Sequence, residues 1–333
     1  MNSTHSSITA FFISKGANNK MFRYFLRRVA VLIPVVLIVS VFSFGLLYMA
    51  PSDPITMKYA KRGEMPPAEV IAQEKAALGL DKGFVEQYSN WLKKALQGDW
   101  GSSYDTNQPV AEIMKSKLPN TIVLTFSAVL IMLVFAYPMG ILAAVYRNKW
   151  IDYAIRLFSF WGTAMPTFWL GLLLMYWMGV RLRLLPVMGS GDFKHLILPA
   201  TSLAVWLIAL YCRRIRSSIV AEINKDYITG LKARGYSKSR IYLRHIIPNA
   251  SIGILVMLGL SIGDLLGGSM VVEVIFGWQG IGSVALEAVA YRDYVVLQAY
   301  VVWMAIIYTF VNLAADMLVC LINPKVRLTE KAV

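Results

Sequence analysis

Few residues in this chain have the types and spacing that chemistry requires. The run Gly230-Leu231-Lys232-Ala233-Arg234-Gly235-Tyr236-Ser237 comes near the phosphate-cradling pattern GxxxxGK[ST], in which a strand precedes the loop and a lysine reaches the phosphates. Tyr236 stands where the lysine is required and no strand pattern precedes it, so nucleotide hydrolysis by this chain is not expected. Neither HExxH nor GxSxG occurs, which removes the corresponding zinc and serine chemistries. His5, His195 and His245 share no metal-ligand spacing. Cys212 and Cys320 fall in or beside apolar runs, where they are expected as small buried hydrophobes and not as a disulfide. Two carboxylates, Asp264 and Asp316, stand inside strongly apolar sequence. A carboxylate at the centre of a bilayer costs about 2.5–3.5 kcal/mol on insertion scales, so Asp264 should face a protein interior or a water-filled path. There it either attracts cationic or amine-bearing cargo or closes a hydrogen bond to a neighbouring helix. Gly267, Gly268 and Ser269 beside it would let another helix approach closely. Asp316 reads as a helix-packing residue.

The elements that must position these groups are membrane spans. The chain has 333 residues, 57% of them hydrophobic and 16% charged, against about 25% charged in a soluble domain; its mean hydropathy is +0.56. Six stretches, 29–50, 121–146, 155–180, 196–212, 250–272 and 297–322, are long and apolar enough to cross a bilayer as helices. Residues 1–20 are polar, rich in Ser and Asn, and expected to be disordered. The apolar run after Arg28 lacks a small-residue cleavage site and reads as an uncleaved first span over 21–50. Charge orients the spans. Segments 1–28, 147–156, 213–249 and 323–333 together hold 20 basic and 4 acidic residues; segments 51–120, 181–195 and 273–296 hold 13 of each. With Asp264 and Asp316 inside spans the net charge is +14. The first set belongs inside the cell under the positive-inside rule, with both termini cytoplasmic. The basicity is thus a topology signal and not a footprint for nucleic acid.

Two connections are too long for simple turns. On the outer side, 51–120 opens with a turn cluster at Pro51–Pro54 and then reads as helices over Pro67–Leu78 and Phe84–Leu96, forming a cap that either scaffolds the spans or meets a soluble delivery protein. On the inner side, 213–249 carries nine basic and two acidic residues. Residues 217–233 suit a helix with Ile219, Ile223, Tyr227 and Leu231 on one face; Gly235 breaks it, and Ser237 can cap a second helix, Lys238 to Ile247, ended by Pro248. The pair would present Tyr227, Ile228, Tyr236, Ile241 and Tyr242 among basic residues, either to another protein or to anionic lipid headgroups.

These residues carry a family resemblance. Asp226-Tyr227-Ile228-Thr229-Gly230-Leu231-Lys232-Ala233-Arg234-Gly235, followed by Arg244-His245 and Asn249-Ala250, resembles the cytoplasmic loop of bacterial ABC-importer permeases of the dipeptide/oligopeptide/nickel family. The wider family has EAA-x3-G-x9-I-x-L-P here. Gly235 and Pro248 match it, Thr229, Gly230 and Leu231 replace Glu-Ala-Ala, and His245 and Ile247 replace the Ile and Leu. Phe22–Arg28, Pro51–Pro54, Leu78–Asp81, Gly98–Ser103, Glu273–Gly282, Arg292–Gln298, Asn312–Asp316 and Asn323–Arg327 continue the resemblance in order over about 21–328, with Met21 as an alternative start.

The resemblance implies an all-α type I importer permease of six spans in the bacterial inner membrane, with a core over 121–328 and a short tail, 329–333. It implies a homologous second permease, two ATPase subunits that use ATP and Mg, and an external solute-binding protein, with no cofactor on this chain. Asp226, Tyr227, Gly235, Tyr236, Arg240, Arg244 and His245 then belong to the ATPase-coupling loop, and Asp264, Ser269 and Glu273 are candidates for the translocation pathway. The short Arg181–His195 connection and Gly263–Gly268 are similar to the nickel and metallophore branch, with dipeptide or oligopeptide as the alternative cargo. A stand-alone secondary transporter would instead show internal repeats and more intramembrane ionisable residues, and an intramembrane enzyme would need a catalytic constellation.

Overall fold

A computed structural model describes residue 26 and residues 29–50, 53–63 and 65–322. The polar segment 1–20, most of Phe22–Arg28, Pro51, Ser52 and everything from Asn323 onward lie outside the described residues, as does the side chain of Cys320. The described chain is helical, with one isolated bridge between Ser102 and Pro109.

Helix α1, Val29–Tyr48, is apolar around its whole circumference and leaves most of it uncovered within the chain. A cap of three helices follows: α2, Pro54–Arg62; α3, Ala68–Leu78; and α4, Phe84–Leu96. Proline and glycine punctuation places α3 and α4 within a residue of expectation. Helix α2 was not anticipated. Pro54, read as part of a turn, instead occupies its first position, where the missing N–H costs nothing, and the Asp53 carboxylate accepts from Ile55 N and Thr56 N. Aromatic side chains fasten the cap to the spans. Phe44 of α1 meets Phe84, Tyr88 and Trp91 of α4, and Trp91 leads through Trp100 to Trp303.

The centre is built on α5, Val110–Val145, and α8, Phe193–Ile223. Leu124, Met132, Leu207, Tyr211 and Ile215 are fully or almost fully enclosed between them. Lipid is as apolar as these side chains, so close packing holds the spans together. Gly140 supplies it here: a methyl group on it would lie 2.7 Å from Ile215 Cβ.

Among the described residues, five helices are straight candidates for spans: α1, α5, α8, the continuous run Lys238–Gly268, and α14, Tyr294–Ile322. The stretch 155–180, expected as one span, is a bent pair. Helix α6, Trp150–Ala164, turns by 101° into α7, Thr167–Leu174, which continues through a π turn, Met175–Arg181. Pro166 is the cause: the residue before a proline is pushed out of the helical region, and Met165 is extended at ψ 128°. A second bent pair, α12, Met270–Phe276, and α13, Ile281–Tyr291, meets at 90° within what the sequence presented as a plain outer connection. Gly277, in the left-handed region at φ 62°, turns the chain there.

Two pairs of the segments grouped by charge meet in the described residues. Arg216 meets Asp152, joining segments 213–249 and 147–156. Ser103 donates to Asp293 at 2.5 Å, and Asn120 donates to the Gln279 carbonyl at 2.7 Å, joining 51–120 and 273–296.

Candidate functional site

Around residues 213–249 the helices differ from expectation at both ends. Helix α8 does not stop at Cys212; it runs through Arg213, Arg214 and Arg216 to Ile223, because charge ends an apolar run without ending a helix. Asn224 and Lys225 break the backbone, and α9, Asp226–Ala233, follows. Ile228 and not Tyr227 is its buried residue, at 0% exposure, so the four-residue ladder through Tyr227 does not continue across the break. Beyond the turn, α10, Lys238–Ile241, passes through a π turn, Tyr242–Ile246, straight into α11, Ile247–Gly268. Pro248 therefore lies inside a continuous helical run where it was expected to end one; it sits just past the π turn, whose widened backbone leaves room for a ring that an α-helical turn would crowd. Ile241 is buried as well. Ile228 and Ile241 are thus pegs into the core, and the side chains offered outward are Tyr227, Tyr236, Leu243 and the basic residues.

Gly235 is the pivot of the turn. Its φ is +76° and a methyl group there would touch nothing within 4 Å; backbone conformation, not space, requires glycine. Gly235 N donates to Lys232 O at 3.0 Å and Tyr236 N to Leu231 O at 3.2 Å, the paired bonds of a Schellman cap. The turn sets Tyr236 edge-on to His245, centroids 6.3 Å apart and ring planes at 80°, with the Arg240 guanidinium 5.0 Å from the Tyr236 ring centre. Lys232, Arg234, Lys238, Arg240 and Arg244 are all exposed, and Asp226 is the one exposed carboxylate in the segment. A compact, cationic, aromatic-centred knuckle stands at this end of the bundle. Gly230 lies inside helix α9, so the near-match to a phosphate loop has no loop.

The sequence missed Glu222. It is 6% exposed, and it accepts from Tyr227 Oη at 2.6 Å and pairs with Lys225 Nζ at 2.6 Å. Asn249 Nδ2 donates to Tyr227 Oη at 3.1 Å. Burial, then the bond to Glu222, raises the Tyr227 pKa above its ordinary value, so the phenol stays protonated and donates. Asp152 was also missed. It is fully buried and takes both arms of Arg216, Nε at 2.6 Å and Nη2 at 2.7 Å, while Asn148 N donates to it at 2.9 Å. Arg216 is 64 positions from Asp152 and leaves no local signal there, whereas Lys225 and Tyr227 are close to Glu222 in sequence and meet it because the helix breaks between them.

The structure separates the three acidic and polar candidates at the other end of α11. Asp264 is exposed on the surface of the single chain. Ser269 and Glu273 are fully enclosed within it. The Glu273 carboxylate accepts from Thr121 Oγ1 at 2.8 Å, Ser269 Oγ at 2.9 Å and Ser283 N at 2.9 Å, and Thr121 Oγ1 also accepts from Ile281 N at 2.8 Å. Buried polar groups need such full satisfaction, and here it ties α5, α12 and α13 into one knot. Facing the cap, a cleft of about 750 Å³ is lined by residues including Tyr48, Trp91, Trp100, Lys93, Lys94 and Tyr294.

Comparison with known proteins places this geometry. The family described as binding-protein-dependent transport system inner membrane component matches residues 136–328, and its N-terminal companion matches 21–125. The chain is 35% identical over 307 residues to the glutathione transport system permease protein GsiC of Escherichia coli K12, and 37% identical to that of Salmonella typhi; each comparison covers 92% of this chain and 99% of the relative. Among solved structures, the inward-facing MetNI methionine ABC transporter shares the fold, with a TM-score of 0.53 at 18% identity over 63% of this chain and 96% of that one. Relatives of this kind are transport subunits whose ATPase resides on partner chains. The chain belongs to the family of binding-protein-dependent transport system inner membrane components, as the permease subunit of an ABC importer.

Proposed function

We propose that this permease forms half of a translocation pathway for small peptides. The observation that carries the cargo class is the 35–37% identity, over 92% of the chain, to permeases named for glutathione transport; glutathione is a small peptide. In this reading two ATPase subunits supply the work from ATP and Mg, a homologous permease completes the pathway, and an external solute-binding protein loads it near the cap. The knuckle around Gly235 is the ATPase-docking element. Its exposed cations and aromatics, held by a Schellman turn and two buried isoleucine pegs, make a rigid surface suited to transmitting force. Asp226, Tyr227, Tyr236, Arg240, Arg244 and His245 belong to it. Both termini lie in the cytoplasm under the charge partition, with six crossings if α6–α7 counts as one and α12–α13 dips in from outside. Asp264 faces the pathway, because it alone of the three candidates is uncovered by its own chain; an amine-bearing cargo would find a carboxylate there. Ser269 and Glu273 hold the wall behind it.

Uptake by the complete complex in proteoliposomes tests the cargo. ATP-dependent accumulation of glutathione or a dipeptide, competed by other small peptides and not by nickel, is expected. Accumulation of nickel or a metal chelate without peptide uptake would overturn the reading.

A further inference from the structure

One carboxylate joins three helices at the base of the knuckle. Glu222 ends α8, Lys225 and Tyr227 open α9, and Asn249 lies in the first turn of α11. Both oxygens of Glu222 are engaged, Oε1 by Tyr227 and Oε2 by Lys225. The Tyr227 hydroxyl relays the contact by accepting from Asn249 while it donates to Glu222. Besides these side chains, the α8–α9 break is held by backbone bonds from Lys225 N to Glu222 O at 3.2 Å and from Ile228 N to Lys225 O at 3.0 Å, and by the Ile228 peg. A peg in an apolar socket resists withdrawal but not rotation, because apolar contact is non-directional. Charge-assisted hydrogen bonds are directional and stronger than neutral ones.

We propose that Glu222 is the positioning residue that fixes the angle of α9 against α8 and α11, so that displacement of the knuckle reaches both spans together. The proposal rests on the coupling role given to the knuckle above. Glu222 touches neither cargo nor nucleotide; it acts through Tyr227 and Lys225. Helix α11 carries Asp264 some four turns beyond Asn249, so the junction connects the docking face to the pathway side of the same helix.

The test uses the complete importer in proteoliposomes and measures transport and ATP hydrolysis together. In Glu222→Ala the pegs remain, so the ATPase subunits should still co-purify and hydrolyse ATP at close to the wild-type rate. Cargo moved per ATP should fall about tenfold, the ratio that corresponds to losing hydrogen bonds to one buried charged group. Tyr227→Phe, which leaves the Lys225 arm, and Glu222→Gln, which can still accept from Tyr227, should each fall between the two. An unchanged ratio, or transport and hydrolysis falling in proportion to the amount of assembled complex, overturns the proposal. If the wild-type complex moves no cargo on ATP, the coupling role fails, and the junction is then read by hydrogen exchange in the same complex. Glu222→Ala must raise exchange of amides in both 226–233 and 247–251; a rise in one segment, or in neither, overturns it.

Discussion

Replacing Asp152 by alanine should destabilise the permease by about 3 kcal/mol. The carboxylate is fully enclosed and its two oxygens take the two arms of Arg216, whose side chain is 21% exposed. Removing one partner of a buried pair strands the other charge, at a cost of roughly 3–5 kcal/mol. The low end applies because Arg216 keeps a fifth of its surface in contact with solvent. The third bond to Asp152 comes from Asn148 N, and Asn148 is exposed, so water replaces that acceptor without added cost. At about 2 °C per kcal/mol for a chain of this size, the apparent melting temperature of purified protein should fall by about 6 °C. Removing both charges at once separates pair loss from a mere cavity: Asp152→Leu with Arg216→Met should return to within about 1 kcal/mol of wild type, since a buried pair gains little over well-packed apolar side chains. A thermal shift measured in detergent for wild type, single and double variants decides it. A single variant that melts with wild type, or a double variant no better than the single, would refute the reasoning.

Four other outcomes follow from the same geometry. Gly235→Ala should cost about 1 kcal/mol from the left-handed backbone alone and leave ATPase association intact, whereas Gly235→Glu should uncouple hydrolysis from uptake; unchanged uptake in the glutamate variant removes Gly235 from the docking surface. Asp264→Asn should lower uptake of amine-bearing cargo without altering assembly, and equal uptake rates would return Asp264 to a packing role. Gly280→Ala would push a methyl group onto the Glu273 carboxylate and Thr121 Oγ1, so it should destabilise by about 1–3 kcal/mol; adding Thr121→Ala to relieve that contact should not fully rescue it, which paired melting curves can check. The fourth is pH dependence at Asp53. Burial acts to raise its pKa, but hydrogen bonds from Lys75, Thr56 and Ile55 outweigh it and hold the carboxyl below 3.8. A depressed carboxyl stabilises fully above its unfolded value and loses that contribution as pH falls through its folded value. Hydrogen exchange over 54–78, corrected for intrinsic rates, should therefore be flat from pH 7 to about 5 and rise below about 4; Asp53→Asn should abolish the rise, and a rise that persists in the variant assigns it to another group.

Much of the frame was legible where sequence acts locally. Proline and glycine delimit α3 and α4, and the grouping of charges into two ends agrees with the Asp152–Arg216 and Ser103–Asp293 contacts. Hydropathy failed where backbone and composition part company. It stops α8 after Cys212, though the helix continues for eleven more residues because its arginines reach past the core to polar partners or the surface. It carries the third span through Pro166, because a proline inside an apolar run does not change the average that hydropathy measures. Glu273 was expected with Asp264 and Ser269 along the pathway, yet it is enclosed against Thr121, 152 positions away in the chain. Glu222 read as one more charge in a basic segment, because its role depends on where α8 breaks, which sets Lys225 and Tyr227 against it, and on Asn249 reaching Tyr227 from α11.

Helix α5 runs without a break between the two ends of the molecule. Its first turns, with Val110 and Met114, are packed into the outer cluster with Ile281 and Ala285, and its last turns, with Gly140 and Ala144, lie against the inner half of α8. Thirty-six residues at 1.5 Å each make it about 54 Å long, so a tilt of about 10° about its midpoint sweeps each end through roughly 5 Å in opposite directions. A lever of that length converts a small angular change at one membrane surface into a displacement the size of a side chain at the other. Pro119 and Pro138 lie inside this helix and each removes one of its hydrogen bonds, so they mark where a bend, in place of a rigid tilt, would uncouple the outer cluster from the inner one.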